Sequence, residues 1–121
     1  MKIITALAAI ALAAATMPAL AIDFDSKILT IDGQDFRDER GAAVNITLGS
    51  VAQNVLLNVD DKSLNGEQKM KRWLLAKKIH EKPKDPDISI EDIALIKTLI
   101  GNNQPPAVSG PAWQLLDPAA K

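Results

Sequence analysis

Apolar positions recur throughout the segment from Ile88 to Gly101. At about 100° per residue, they cover much more than one narrow stripe of a helix. These positions are Ile90, Ile93, Leu95, Ile96, Leu99 and Ile100. A helix that is apolar over so wide an arc must be enclosed on several sides. Ser89 and Asp92 fit a capping box and Gly101 suits the residue after the C-terminus, so we predict the central helix of one small core.

A one-sided apolar pattern precedes it, from Leu48 to about Asn58, with Thr47 as a suitable N-cap. Its apolar residues recur at helical spacing: Leu48, Val51, Ala52, Val55, Leu56 and Val59. Leu57 falls on the opposite side. This spacing predicts an amphipathic helix with a single buried face.

Between these two segments, the sequence predicts a helix from Glu67 to about His80 with two apolar patches. One patch consists of Met70, Trp73 and Leu74, and the other consists of Leu75 and Ile79. Two patches on different sides indicate that this helix is wedged between neighbours. The prolines of the segment that follows, Pro83 and Pro86, prevent the helix from continuing.

Extended structure is predicted only near the N-terminus. Ile28–Ile31 is β-prone, and Asp32-Gly33 is typical of a two-residue hairpin turn, which needs positive φ at both central positions. A second turn is predicted at residues 39–41, leading into an extended piece from Ala43 to Ile46. Such short strands need a helix to pack against.

The C-terminal part is predicted to begin with a loop from Asn102 to Ser109. Pro111 suits the first position of a short helix that continues through Leu116 and ends before Pro118. The predicted fold class is therefore mainly α. A small N-terminal β-hairpin is followed by three principal helices and a short C-terminal helix, after a signal peptide.

The signal peptide is predicted from the first residues of the chain. Lys2 is followed by an uncharged run, Ile3–Ile22, in which small residues stand at Ala19 and Ala21. A basic start, an apolar middle and this small-residue site indicate cleavage after Ala21. We therefore predict a signal peptide at 1–21, one domain at 22–121, and a periplasmic or secreted location. The alternative is a retained membrane anchor, because twenty or so uncharged residues can span a bilayer.

The overall composition excludes some classes of protein. The 121 residues have a formal net charge of −1, so the chain has no general attraction for nucleic acid or acidic membranes. No cysteine is present, so the core must hold the fold without disulfides. The middle segment is basic and contains Lys69, Lys71, Arg72, Lys77, Lys78, Lys82 and Lys84. Those on the predicted helix scatter around it instead of forming a stripe. We predict a solvated helix rather than a nucleic-acid interface.

Residues 61–66 resemble the first half of a calcium-binding loop, with oxygen side chains at positions 1, 3 and 5 and glycine at position 6. Position 12 should carry a bidentate glutamate, but Arg72 stands there, and Gln68 replaces the usual apolar residue at position 8. A cation would lose its strongest ligand and face a positive charge. An ordinary polar turn is therefore the preferred interpretation.

Catalytic candidates are few. His80 is the only histidine and lies near a predicted helix end, where a cation interacts favourably with the helix dipole. Carboxylates cluster at Asp35, Asp38 and Glu39 and again at Glu91 and Asp92. Paired acids can hydrolyse glycosides when they flank a cleft, but turns and first helical turns favour acids for structural reasons. We predict no catalytic residue, no cofactor and no metal site.

The proline-rich C-terminal segment has two interpretations. Pro105, Pro106, Gly110, Pro111 and Trp113 can form a docking surface for a partner, or Trp113 and Leu116 can close the core. Aromatic side chains dominate burial in small domains, so we predict that Trp113 is a core residue.

Several phrases resemble small phage and prophage-associated proteins of uncharacterised function when they are taken in order. These are residues 31–33, 46–49, 71–79, 93–97 and 110–113. The resemblance spans Phe24 to Leu116. It implies a compact, partner-binding accessory protein with no active site to carry over. The predicted signal peptide departs from this pattern, because such proteins are usually cytoplasmic.

The sequence as a whole favours a secreted or periplasmic non-enzymatic protein that acts by binding another macromolecule, with another protein as the expected partner. One alternative is a small hydrolase that uses carboxylates and His80. Another is a signal-anchored envelope protein. A structure with His80 beside two carboxylates would favour the hydrolase.

Overall fold

The computed structural model describes residues 22–117, and the predicted signal peptide lies outside them. This part of the chain is mainly helical, with four helices and two short strands. The elements are β1 (Phe36–Arg37), β2 (Ala43–Val44), α1 (Leu48–Asn58), α2 (Gly66–Glu81), α3 (Ile90–Asn103) and α4 (Pro106–Leu116). Helix α1 lies at the centre, because α2, α3 and α4 all pack against it.

The β-hairpin forms at the second predicted turn. Strands β1 and β2 pair antiparallel, with Phe36 opposite Val44. Asp38 Oδ1 accepts hydrogen bonds from the backbone N–H groups of Arg40 and Ala42, both at 2.9 Å. Gly41 adopts a φ of 83°, which glycine reaches without steric cost.

The Asp32-Gly33 turn also forms, but it does not join two strands. The Thr30 N–H donates to the Gln34 carbonyl at 2.8 Å, and Gly33 has a φ of 78°. Residues 28–31 make no strand, so the prediction of a hairpin at this point was wrong. A hairpin at this turn needs a partner strand for residues 28–31. The residues after Gln34 instead form β1, which pairs with β2.

The segment that follows the predicted cleavage site belongs to the core. Ile22, Phe24 and Ile28 are all buried. The Phe24 N–H donates to the Pro83 carbonyl at 2.8 Å, and the Asp85 N–H donates to the Ile22 carbonyl at 2.8 Å. These bonds join the first described residues to the loop after α2.

Helix α1 begins and ends where the sequence predicts. Thr47 and Ser50 form a reciprocal capping box, which satisfies two backbone N–H groups at the N-terminus. Gly49 allows close contact with the N-terminal segment, because a Cβ there would lie 2.9 Å from the Phe24 carbonyl oxygen. The expected apolar face is buried, and Leu57 is 44% exposed on the other side.

Helix α2 has only one buried face, so the prediction that it is wedged between neighbours was wrong. Its buried residues are Leu75, Ala76 and Ile79, and its principal neighbour is α1. The second apolar patch faces away from the core. The helix is slightly longer than predicted at both ends, with Asn65 as the N-cap in a capping box with Gln68.

The predicted cap of α3 is confirmed, since Ser89 and Asp92 form the capping box. The prediction that this helix is the central one was wrong, because α1 contacts the three other helices. The burial of α3 is also incomplete: Ile93, Ile96, Leu99 and Ile100 are buried, but Ile90 is 66% exposed. Gly101 lies within the helix and not after it, so that assignment was wrong. Its missing side chain makes room for an aromatic ring of α4, as described below.

Helix α4 begins at Pro106 and not at Pro111, so most of the predicted Asn102–Ser109 loop is helical. Pro106 occupies the first position, where proline suits the helix. Pro111 lies inside the helix and removes one backbone donor. The buried residues of α4 are Ala112 and Leu116, which close the core beside α3.

Candidate functional site

Four large apolar side chains are exposed on helices α1 and α2. Met70 is 56% exposed, Trp73 54%, Leu74 50% and Leu57 44%. We call these four residues the α1–α2 apolar surface. Met70, Trp73 and Leu74 stand three and four residues apart and therefore share one face of α2. Because Leu75, Ala76 and Ile79 occupy the opposite face, the helix cannot bury both faces against α1.

Trp73 and Leu57 line two grooves on this surface. The first groove has a volume of about 310 Å³, and its other lining residues are Leu56, Asn58, Val59, Asp60, Leu64, Lys69 and Arg72. The second groove has a volume of about 120 Å³, and its other lining residues are Gln53, Ala76, Lys77 and His80. The Trp73 indole is therefore a wall shared by a first groove of mixed polar and apolar lining and a second, more apolar groove.

Positive charge surrounds these grooves. Lys69 and Arg72 line the first groove, with Asp60 as its one carboxylate, and Lys77 and His80 line the second. Arg72 Nη1 is buried and makes no hydrogen bond within residues 22–117. A buried guanidinium nitrogen in this state retains its capacity to donate.

The predicted calcium-like loop is an ordinary turn before α2. Asp61 Oδ1 accepts hydrogen bonds from the Ser63 hydroxyl at 2.6 Å and from the Ser63 N–H at 2.9 Å. These bonds, with a smaller contribution from the Arg72 cation, hold the pKa of Asp61 below its ordinary value of 3.8. In the described part of the chain, no three His, Cys, Asp or Glu side chains are close enough to hold one metal ion. That calcium does not bind stays a prediction.

The other predicted candidates do not come together. His80 is exposed, and no carboxylate lines its groove. Asp35 pairs with Lys27 at 3.1 Å, whereas Asp92 caps α3. Asp38 holds the hairpin turn as described above. These carboxylates have local structural partners, and the arrangement that would favour a hydrolase is not present among residues 22–117.

Trp113 lies on the surface, so the prediction of a core residue was wrong. It is 43% exposed, and its Nε1–H donates to the Lys97 carbonyl at 2.9 Å. Lys97 Nζ lies 4.9 Å from the ring centroid and 3.4 Å from Asp117 Oδ2. A Cβ on Gly101 would lie 3.0 Å from the Trp113 ring. Trp113 therefore joins α4 to α3 at their edge.

A separate cleft, away from the two grooves beside Trp73, lies between the Asp32-Gly33 turn and α4. Its volume is about 670 Å³, and it is lined by Leu29, Thr30, Ile31, Phe36, Pro106, Ala107, Pro111 and Gln114. Ile31 is fully exposed. Pro106 and Pro111 belong to this cleft, whereas Trp113 belongs to the α3–α4 contact. The proline-rich segment thus does not form one docking surface with Trp113.

Comparison with known proteins adds no family. No protein-family profile, curated protein or solved structure matches the chain. The resemblance to phage-associated proteins therefore stays a prediction. None of the helices within residues 22–117 is long and apolar enough to cross a membrane.

The sequence alone predicts no site at the α1–α2 apolar surface, although it indicates the apolar patch on the second helix. The signal was the pair of apolar patches on the second helix. In a chain this short, three neighbouring helices cannot enclose both sides of every helix. A second patch on a peripheral helix therefore indicates an exposed surface rather than a second buried face.

Proposed function

We propose that this protein is exported and acts without catalysis by binding another protein through the α1–α2 apolar surface. The observation that carries the proposal is the half-exposed Trp73, which lines two grooves together with Leu57. Met70 and Leu74 are exposed on the same face of α2 as Trp73. Exposed apolar clusters rimmed by polar groups are typical of interaction sites, and tryptophan is enriched among residues that dominate binding energy.

The proposal that the protein is exported rests on the sequence alone. The pattern of the first 21 residues is typical of a cleaved signal peptide, and the expected mature chain begins at Ile22. Intact-mass measurement of the protein from the periplasm or the medium should find that N-terminus. A full-length species confined to the membrane would instead favour the anchored envelope protein.

Site-specific photo-crosslinking tests the binding surface. A photoreactive amino acid in place of Met70 should yield a discrete protein adduct in cells that produce the protein, because this side chain is 56% exposed on the proposed surface. The same amino acid in place of the exposed Arg40, on the hairpin turn, is the control and should yield none.

The adduct must also depend on the surface itself. Trp73→Ala in the Met70 crosslinking variant should reduce the yield by about tenfold, since loss of an anchoring tryptophan typically costs that much affinity or more. Equal adducts from both positions, or no adduct from Met70, would remove the basis of this proposal.

A further inference from the structure

We propose that the partner presents an acidic amphipathic helix to the α1–α2 apolar surface, with apolar side chains in the two grooves and carboxylates toward the surrounding cations. This inference rests on the proposed function and adds the chemistry of the partner. It follows from the secondary structure of the surface, the shape of its grooves and the charges that line them.

The surface favours a helix over an extended peptide. Helices α1 and α2 form it, so it offers no free strand edge to which an extended segment could add. Two adjoining recesses on either side of Trp73 suit side chains that recur about one helical turn apart. An amphipathic helix presents such a row along one face.

The charges favour acidic residues beside that row. Three permanent cations line the grooves, Lys69, Arg72 and Lys77, and His80 adds a fourth basic group. The one carboxylate in the lining is Asp60. Since the chain as a whole has a net charge of −1, this surface is more positive than the whole chain. Complementary charge then favours a partner with several carboxylates.

Other charged groups of α2 do not reverse this balance. Glu67 and Glu81 lie at its two ends, whereas Lys71 and Lys78 lie between them. Lys78 Nζ donates to the Asp87 carbonyl at 3.0 Å, which contributes no opposing charge. The middle of α2, which carries the apolar residues, is therefore basic.

The same observations disfavour two other occupants. A symmetric contact between two copies would bring the basic residues of one α2 against those of the other. A bilayer surface attracts cations too, but it binds helices that project their apolar side chains into lipid. Here part of the apolar area lines recesses on either side of Trp73, where partner side chains fit and a flat surface does not reach.

The test uses a labelled peptide of about four helical turns, with leucine along one face and glutamate on the others. The matched peptide has lysine at every glutamate and the same leucine face. Fluorescence anisotropy with the purified protein should show at least about tenfold tighter binding of the acidic peptide, weakening as salt is raised.

Protein variants locate the contact. Trp73→Ala should weaken acidic-peptide binding by about tenfold or more, and Lys77→Glu by about threefold to tenfold. Arg40→Glu makes the same charge change on the exposed hairpin turn and should leave binding unchanged. An unchanged circular dichroism spectrum and a cooperative thermal melt of each variant will show that the fold is intact.

Several results would overturn the inference. These are equal affinity for both peptides, no binding of the acidic peptide up to about 1 mM, or insensitivity to Lys77→Glu. Binding to vesicles of phosphatidylcholine and phosphatidylglycerol that is lost in Trp73→Ala would assign the surface to membranes. Self-association lost in the same variant would assign it to a second copy.

Failure here is distinguishable from failure of the proposed function. A Met70 adduct that forms while the acidic peptide does not bind would leave protein binding in place and remove only the acidic partner. Absence of both the adduct and peptide binding would remove both proposals.

Discussion

The two tryptophans of this protein are similarly exposed but differ in their surroundings. Trp113 is 43% exposed and is held by a hydrogen bond, a lysine over its ring and the flat site at Gly101. Trp73 is 54% exposed and separates two grooves of a basic surface. Exposure alone therefore does not identify a docking residue. The two tryptophans differ in whether other residues of the chain already hold the indole ring in place.

The largest expected difference in stability is between substitutions on the two faces of α2. Ile79 is fully buried, so Ile79→Ala should lower the free energy of unfolding by about 2–5 kcal/mol. Trp73→Ala removes a larger but half-exposed side chain and should cost less than about 1.5 kcal/mol. Urea denaturation of both variants measures the difference. A Trp73→Ala cost equal to that of Ile79→Ala would make Trp73 a structural residue.

Trp113→Ala should have an intermediate effect on stability. It removes the hydrogen bond to the Lys97 carbonyl, the contact with the lysine charge and part of the buried ring, for a loss of about 1–3 kcal/mol. Thermal melts measure it, with Trp113→Phe as the variant that keeps a ring and loses the N–H. An unshifted midpoint in Trp113→Ala would show that the contact between α3 and α4 does not need this residue.

The Gly101 contact should appear as coupling between two substitutions. Alanine is favoured over glycine inside a helix by about 1 kcal/mol, but its Cβ would lie 3.0 Å from the Trp113 ring. We expect Gly101→Ala to change the free energy of unfolding little in the natural protein and to stabilise the Trp113→Ala variant by about 1 kcal/mol. A double-mutant cycle by chemical denaturation measures this. Additive effects would mean that the ring moves aside freely.

The smallest effect concerns Asp61, which precedes α2. Because its pKa is lowered on folding, its stabilising contribution is present above the ordinary value of 3.8 and is lost as the pH falls through the lower folded value. Ser63→Ala should raise the titration midpoint of Asp61 toward 3.8, as followed by carboxyl carbon NMR. A natural midpoint at or above 3.8 would contradict the hydrogen-bonded turn.

The helix starts that depend on local chemistry were predictable. Thr47 and Ser89 cap helices at the predicted positions, because capping needs only a side-chain oxygen and the next few backbone N–H groups. The prediction that Pro111 begins the last helix was wrong for the opposite reason. A proline suits a first helical position, but whether a helix also tolerates it further along depends on packing that local sequence does not contain.

Exposure was less predictable than secondary structure. The spacing of Met70, Trp73 and Leu74 indicated one face of a helix, but it could not indicate that no other element packs there. The prediction that Trp113 is buried was wrong for a similar reason, because its burial depends on how α4 crosses α3 at Gly101. The candidate site therefore depends on the placement of the helices, although its three α2 residues are recognisable in the sequence as an apolar patch.

The buried N-terminal segment implies an order of events if the proposed cleavage after Ala21 takes place. If processing follows Ala21, the cut bond adjoins Ile22, whose carbonyl is bound to Asp85 and whose side chain is buried. Proteases require an extended, accessible chain, so a peptidase competes with the docking of Phe24 against Gly49 for the same few residues. Under the proposed processing, cleavage is therefore expected before Phe24 docks against Gly49. A chain that folded first would already hold Ile22 in its buried position.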